Sequence, residues 1–140
     1  MTTLNPCQLS HALQACTRGL YPLEAGTRLL ADCGGWLHRD DFTSRFITVG
    51  PSTSDSLTLL ASIDWEAAVT ALHAGQLPAS GGERRMLLLA ASIAGGTPVS
   101  LNDALPGTDR PNASLVVSAV AHAAGLPEPY QETDKRSLNG

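Results

Sequence analysis

The hydrophobic positions of this chain recur at helical spacing along most of its length and alternate only between residues 45 and 63. Asn5-Pro6 opens the first helix. Asn5 is a capping residue, Pro6 suits the first helical position, and Gln8 completes a capping-box spacing. Leu9, Ala12, Leu13 and Cys16 then share one face, and Gly19 stops the segment. A second helix is predicted over 23–32, with Leu23, Thr27, Leu30 and Ala31 on one side and Gly34-Gly35 at its end. Trp36, Phe42 and Phe46 follow closely and predict a core anchor, with a short helical turn begun by Asp40-Asp41. Residues 45–50 and 57–63 read as strands, and 51–56 carry turn chemistry between them.

Beyond the hairpin the helical period returns. Asp64 caps a helix whose apolar face is Trp65, Ala68, Val69 and Leu72, ending at Gly75. Residues 83–94 are apolar on nearly every side, which predicts a helix buried at the centre of a domain. Ser100 and Asp103 make a capping-box spacing for a short helix through Leu105. The last helix starts at Asp109 or Arg110 and turns Leu115, Val116, Ala119, Val120 and Ala123 inward, with Gly125 closing it. Residues 127–140 are polar and predict a disordered tail. The fold class is therefore mainly α (α+β): about six helices in one domain, 1–126, with a single β-hairpin near residues 45–63.

Composition narrows the function classes. Charged residues are 16% of the chain, against about 25% in an average globular protein. Ser, Thr, Asn, Gly and Ala must then finish the surface, or a partner covers part of it. The net charge of −4 disfavours a broad nucleic-acid face, because phosphate neutralisation needs Lys and Arg. No apolar run is long enough to span a membrane. The segment 1–6 lacks the basic and apolar regions of a secretory signal, so the expected compartment is the cytoplasm. Cys7, Cys16 and Cys33 are then reduced thiols. Their odd number and the absence of a C-x-x-C spacing argue against a disulfide framework or a zinc site, and all three are expected in the core.

Candidate chemistry is sparse. His38, Asp40 and Asp41 cluster without metal-ligand spacing, and His11, His73 and His122 fall on separate predicted helices. Cys33 beside Gly34-Gly35 has no base paired with it in the sequence. No metal, cofactor or catalytic residue is expected; a pocket joining His38 or Cys33 to an acidic neighbour would be the mark of an enzyme.

Ser80-Gly81-Gly82-Glu83-Arg84-Arg85 with the apolar helix after it resembles the signature loop of ABC-type ATPases. That resemblance implies a nucleotide phosphate at the glycines, with Asp103 and Asp109 near the aspartates of the later family loops. Ala104 stands where the catalytic glutamate belongs, and no G-x-x-x-x-G-K-[ST] exists in the chain. More broadly, the second half from Leu77-Pro78 to Gly125 is similar to small uncharacterised proteins of high-GC bacteria, which implies a bacterial protein and no particular activity.

The expected function is that of a non-enzymatic accessory or regulatory protein that associates with another protein or with itself. The candidate contact residues are Arg45, Ile47, Ser52 and Asp55 on the hairpin and Gly81, Gly82, Glu83, Arg84 and Arg85 on the loop. The alternative is a helix–turn–helix regulator reading DNA through Arg110, Asn112 and Ser114. A third reading is a small-ligand or nucleotide-binding protein using the Gly-rich loop at 80–85.

Overall fold

A computed structural model describes residues 4–52 and 58–126. Asp55, most of the hairpin loop and the expected tail at 127–140 lie outside them. Seven α-helices, one 3-10 turn and one two-stranded hairpin make up the described residues.

The centre is α5, Gly81–Gly95, as its all-round apolar sequence predicts. Met86, Leu87, Leu89, Ala90 and Ala91 are all buried. Helix α2, Tyr21–Asp32, crosses it at Gly26. A Cβ at Gly26 would stand 2.5 Å from the Ala94 Cβ and 2.6 Å from the Ala90 carbonyl oxygen, so only glycine admits this approach. On the far side α4, Trp65–His73, packs against α5, while α7, Arg110–Ala123, lies on α2 and α5. Helix α1, Pro6–Thr17, packs on α2 and on the hairpin.

The aromatic anchor joins these layers. Trp36 opens a 3-10 turn, Trp36–His38, and its Nε1–H donates to the Glu83 carbonyl at 3.0 Å. Phe42 and Phe46 lie one turn apart on α3, Asp40–Phe46, and stack onward from Trp36 at 5.2 and 5.6 Å between ring centres. Strand β1, Ile47–Pro51, pairs antiparallel with β2, Leu59–Ile63, Ile47 opposite Ile63 and Pro51 opposite Leu59. Buried Ala61 marks its inner face.

Several expectations need correction. The acidic turn at Asp40-Asp41 grows into a full helix that runs to Phe46, which puts Phe42 and Phe46 on one face, where Phe42 meets Trp36 and Phe46 meets Phe42. Arg45 is therefore helical, and the first strand begins at Ile47. Helix α2 begins at Tyr21, with Pro22 in its first turn, two residues before the predicted start. Four-residue α6, Leu101–Ala104, forms without a side-chain bond from Ser100, so the capping box expected there is not made. Cys7 and Cys16 are exposed and Cys33 is half-buried. Helix α1 is rotated so that Thr17 completes the inner face in place of Cys16, its hydroxyl donating to the Gln14 carbonyl at 3.1 Å. In α7 the buried face is Val116 and Ala119, flanked by partly buried Leu115 and Ala123, and Val120 points to solvent. Among the described residues no helix is long and apolar enough to cross a membrane.

Candidate interaction surface

The Gly-rich loop folds as a helix cap. Ser80 Oγ accepts from the Glu83 amide at 3.2 Å, and the Glu83 carboxylate accepts from the Ser80 amide at 3.0 Å. Gly81 and Gly82 are exposed on the first turn of α5. The charged residues after them are engaged within the fold. Arg84 donates to the Leu72 carbonyl at 3.3 Å and meets His73 Nδ1 at 3.3 Å. Arg85 donates to the Gly107 carbonyl at 3.1 Å and occupies the space that a Cβ on Gly107 would fill.

Arg45, at the end of α3, and the hairpin residues are similarly tied. Arg45 donates to the carbonyl and side-chain oxygens of Gln76 at 3.4 and 3.1 Å, with its guanidinium 4.8 Å from the Phe46 ring centre. It lines an open groove of about 510 Å³ between α3 and α4 together with Asp64 and Glu66. Ile47 packs half-buried against the core, and the Ser52 amide donates to the Thr58 carbonyl at 2.8 Å.

At the start of α7, Asp109 is the N-cap and accepts from the Asn112 amide at 2.9 Å. The Asn112 side chain turns back toward the same carboxylate at 3.5 Å. Arg110 and Ser114 are exposed.

An exposed apolar surface lies further along α7. Ala113, Val117, Val120 and Ala124 recur at i, i+4, i+7 and i+11, a spacing that lines one side of a helix. This stripe stands beside the buried face. Val117 is 62% exposed and Val120 54%. Nearby in sequence, Leu101 at the start of α6 and Leu105 just past its end are also exposed. Between Pro111 and Ala124 the helix carries no Asp, Glu, Lys or Arg. The other flank of α7 is closed by the fold itself. His122 Nε2 lies 2.7 Å from a Glu24 carboxylate oxygen, and the Gly19 amide donates to the other at 2.7 Å. The ionised carboxylate can only accept, so Nε2 is the donor in this contact. The His122 bond, and then the Gly19 amide, hold the Glu24 carboxyl below the usual carboxylate range. Tyr21 meets the His122 ring edge-on at 5.9 Å.

The α7 stripe was present in the sequence as spacing. One apolar face accounts for a packed helix, and the surplus valines on a second face were the available signal.

A second feature lies on α1. Cys7 and His11, with His38 across from them, line a half-open groove of about 290 Å³ that also holds Asp32. Cys33 is elsewhere, and its burial pushes the thiol up to about 11. As the side chains lie, no three His, Cys, Asp or Glu among the described residues are gathered closely enough to hold a metal ion. Comparison of the chain with protein-family models, curated proteins and solved structures finds no match.

Proposed function

We propose that this chain is a non-catalytic association module whose contact is the outer face of α7, and that the first partner for that face is a second copy of the chain. The observation that carries this reading is the stripe Ala113, Val117, Val120 and Ala124 on a helix with no charge between Pro111 and Ala124. An amphipathic helix on the surface of a monomer places polar side chains opposite its buried face. Here a second apolar face is left to water. Valines flanked by alanines let two such helices approach closely, and a face repeating at four- and three-residue steps is complementary to itself across a two-fold axis.

Charge supports an apolar contact over a nucleic-acid one. Arg39, Arg45, Arg84 and Arg85 are bonded within the fold and Arg28 pairs with Asp32, so Arg110 has few cationic companions for phosphate binding. The size of the face sets the strength. A helix of 14 residues is about 21 Å long and about 10 Å wide. That footprint is well short of the roughly 800 Å² per partner of a stable pair, which places the dimer in the weak, concentration-dependent class.

The test is sedimentation velocity of the full chain over a hundredfold range of concentration, with Val117→Asp/Val120→Asp beside it. Both valines are exposed, so the variant keeps the helical circular dichroism of the parent. Self-association in the parent and its loss in the variant are the expected results. A parent that sediments as a monomer throughout, or a variant that associates as well as the parent, overturns the reading. Deletion of residues 51–56 serves as the comparison, since it leaves the α7 contact in place.

A further inference from the structure

The pairing of β1 with β2 has a fixed phase. The Asp64 amide donates to the Phe46 carbonyl and the Ser52 amide to the Thr58 carbonyl, both at 2.8 Å. In an antiparallel pair, hydrogen-bonded residue pairs alternate with non-bonded ones. The register therefore makes Thr48–Ser62 and Gly50–Leu60 the bonded pairs. Ile47, Val49 and Pro51 turn their backbone groups the other way, to the outer edge of β1. That edge offers the Val49 N–H and the carbonyls of Ile47, Val49 and Pro51. Pro51 fits this phase, since a strand tolerates proline where the missing N–H would face away from its neighbour.

Among the described residues β1 packs substantially only on β2 and on α3, from which it issues. Thr48, Val49 and Pro51 are exposed. Edge strands are usually blunted by charge, by a bulge, by proline or by a cover. Residues 46–54 include no Asp, Glu, Lys or Arg, the register of β1 runs without a bulge, and Pro51 blunts only the far end. The side chains repeat the asymmetry. Val49 and Ala61 are paired and share the inner face, yet Ala61 is 1% exposed and Val49 36%. Helix α1 packs on β2, so the inner face is covered there and open at Val49.

We infer that the outer edge of β1 docks an extended, uncharged segment of a different protein as a third strand, with its alternate side chains apolar. Backbone groups that recur every second residue, about 6.8 Å apart, are complemented by another extended backbone. The incoming residue opposite Val49 places its side chain on the inner face, where an apolar one extends the covered surface. Its neighbours share the solvent face with Thr48. A charged strand would find no counter-charge, because the nearest cation, Arg45, is held by Gln76. A second β1 is the poorer complement. Paired about Val49 it sets Pro51 opposite Ile47, whose carbonyl then lacks a donor, and paired about Thr48 it sets Pro51 opposite helical Arg45. A two-stranded ribbon is marginal alone, so a third strand also steadies the hairpin. This edge is separate from the α7 contact.

The probe is a capped seven-residue peptide of alternating threonine and valine, N-methylated on its threonines so that one edge alone can pair. It is titrated into the full isotope-labelled chain, read by amide NMR shifts and hydrogen exchange. In the chain alone, the Thr48 and Gly50 amides should exchange slowly and the Val49 amide fast. With the probe, the Val49 amide should become protected, and the shifts should centre on residues 47–51. The same peptide methylated on its valines, whose N–H groups would face β1, should not bind. Val49→Pro removes only an outward N–H and should weaken the probe about tenfold, the upper end for one hydrogen bond. Val117→Asp/Val120→Asp should bind the probe as the parent does. No binding, shifts centred elsewhere, binding of the valine-methylated peptide or parental affinity in Val49→Pro overturns the site. Val49 protection that rises with chain concentration alone would put a second copy on the edge and overturn the occupant.

Discussion

At Gly26 one hydrogen in place of a methyl group decides how closely α2 and α5 meet. Alanine there would gain about 1 kcal/mol of helix propensity. The added Cβ, however, would lie 2.5–2.8 Å from Ala94 Cβ, Ala90 O and Ala94 N. Two of those atoms are backbone, which no rotamer change moves. Overpacking of this kind typically costs 1–3 kcal/mol and the contacts are severe, so Gly26→Ala is expected to destabilise the chain by about 2 kcal/mol net. Gly82 is the contrast. It sits in the first turn of α5 with nothing within 4 Å of a built Cβ, and its φ is not positive. Gly82→Ala is expected to stabilise by about 0.5 kcal/mol. Urea midpoints of the two variants settle the pair, and a Gly26→Ala midpoint at or above the parent's would refute the close-approach argument. The sequence marks Gly34, Gly35, Gly75 and Gly125 as chain breaks, and all four have positive φ. Gly26 reads only as a glycine inside a helix, because its reason is a neighbour 64 or more residues away. The cysteines failed for a similar cause. Residue type predicts burial on average, and the rotation of α1 against its neighbours decided it for Cys7 and Cys16, whereas Cys33 stands at the end of α2 and is half-buried.

Most elements were legible where their partners lie within four residues, the expected Ser100–Asp103 box being the exception. The reciprocal cap Asn5–Gln8 forms as spaced, Ser80 and Glu83 make a second one, and the aspartates Asp64 and Asp109 each accept a bond from the third residue of the helix that follows. The docking of α7 on α2 was not legible, since its polar link joins Glu24 to His122 across 98 residues. That link makes a pH prediction. Glu24 is ionised more readily in the folded chain than when unfolded, because the His122 bond and the Gly19 amide favour its charged form. Its contribution is therefore present above the unfolded carboxyl value of about 4.3 and is lost as pH falls through the depressed folded one. With Glu24 partly exposed, Glu24→Gln is expected to cost about 1 kcal/mol at neutral pH, below the usual range for a charge-assisted bond because solvent screens it. The gap between parent and variant should narrow below about pH 4. Denaturant unfolding at a series of pH values measures it, and a gap that stays constant into acid would remove the ionic role of Glu24.

For the whole molecule, sparse charge and surplus apolar surface belong to one design, and mass action turns that design into a measurement. If only the folded chain pairs, association adds to folding stability and the melting temperature depends on concentration. Each tenfold rise in concentration above the dissociation constant adds about 1.4 kcal/mol per dimer, or about 0.7 kcal/mol per chain. For a domain of this length that raises the melting temperature by about 2 °C. The parent should therefore melt higher as concentration climbs through the association range, while Val117→Asp/Val120→Asp melts at one temperature throughout. Salt separates this from a nucleic-acid reading. An apolar α7 contact survives molar salt, whereas binding through Arg110 to phosphates weakens steeply with it. A parent melting temperature that is flat from micromolar to millimolar chain would mean that two α7 faces do not meet. The exposed valines would then need a partner other than a second copy.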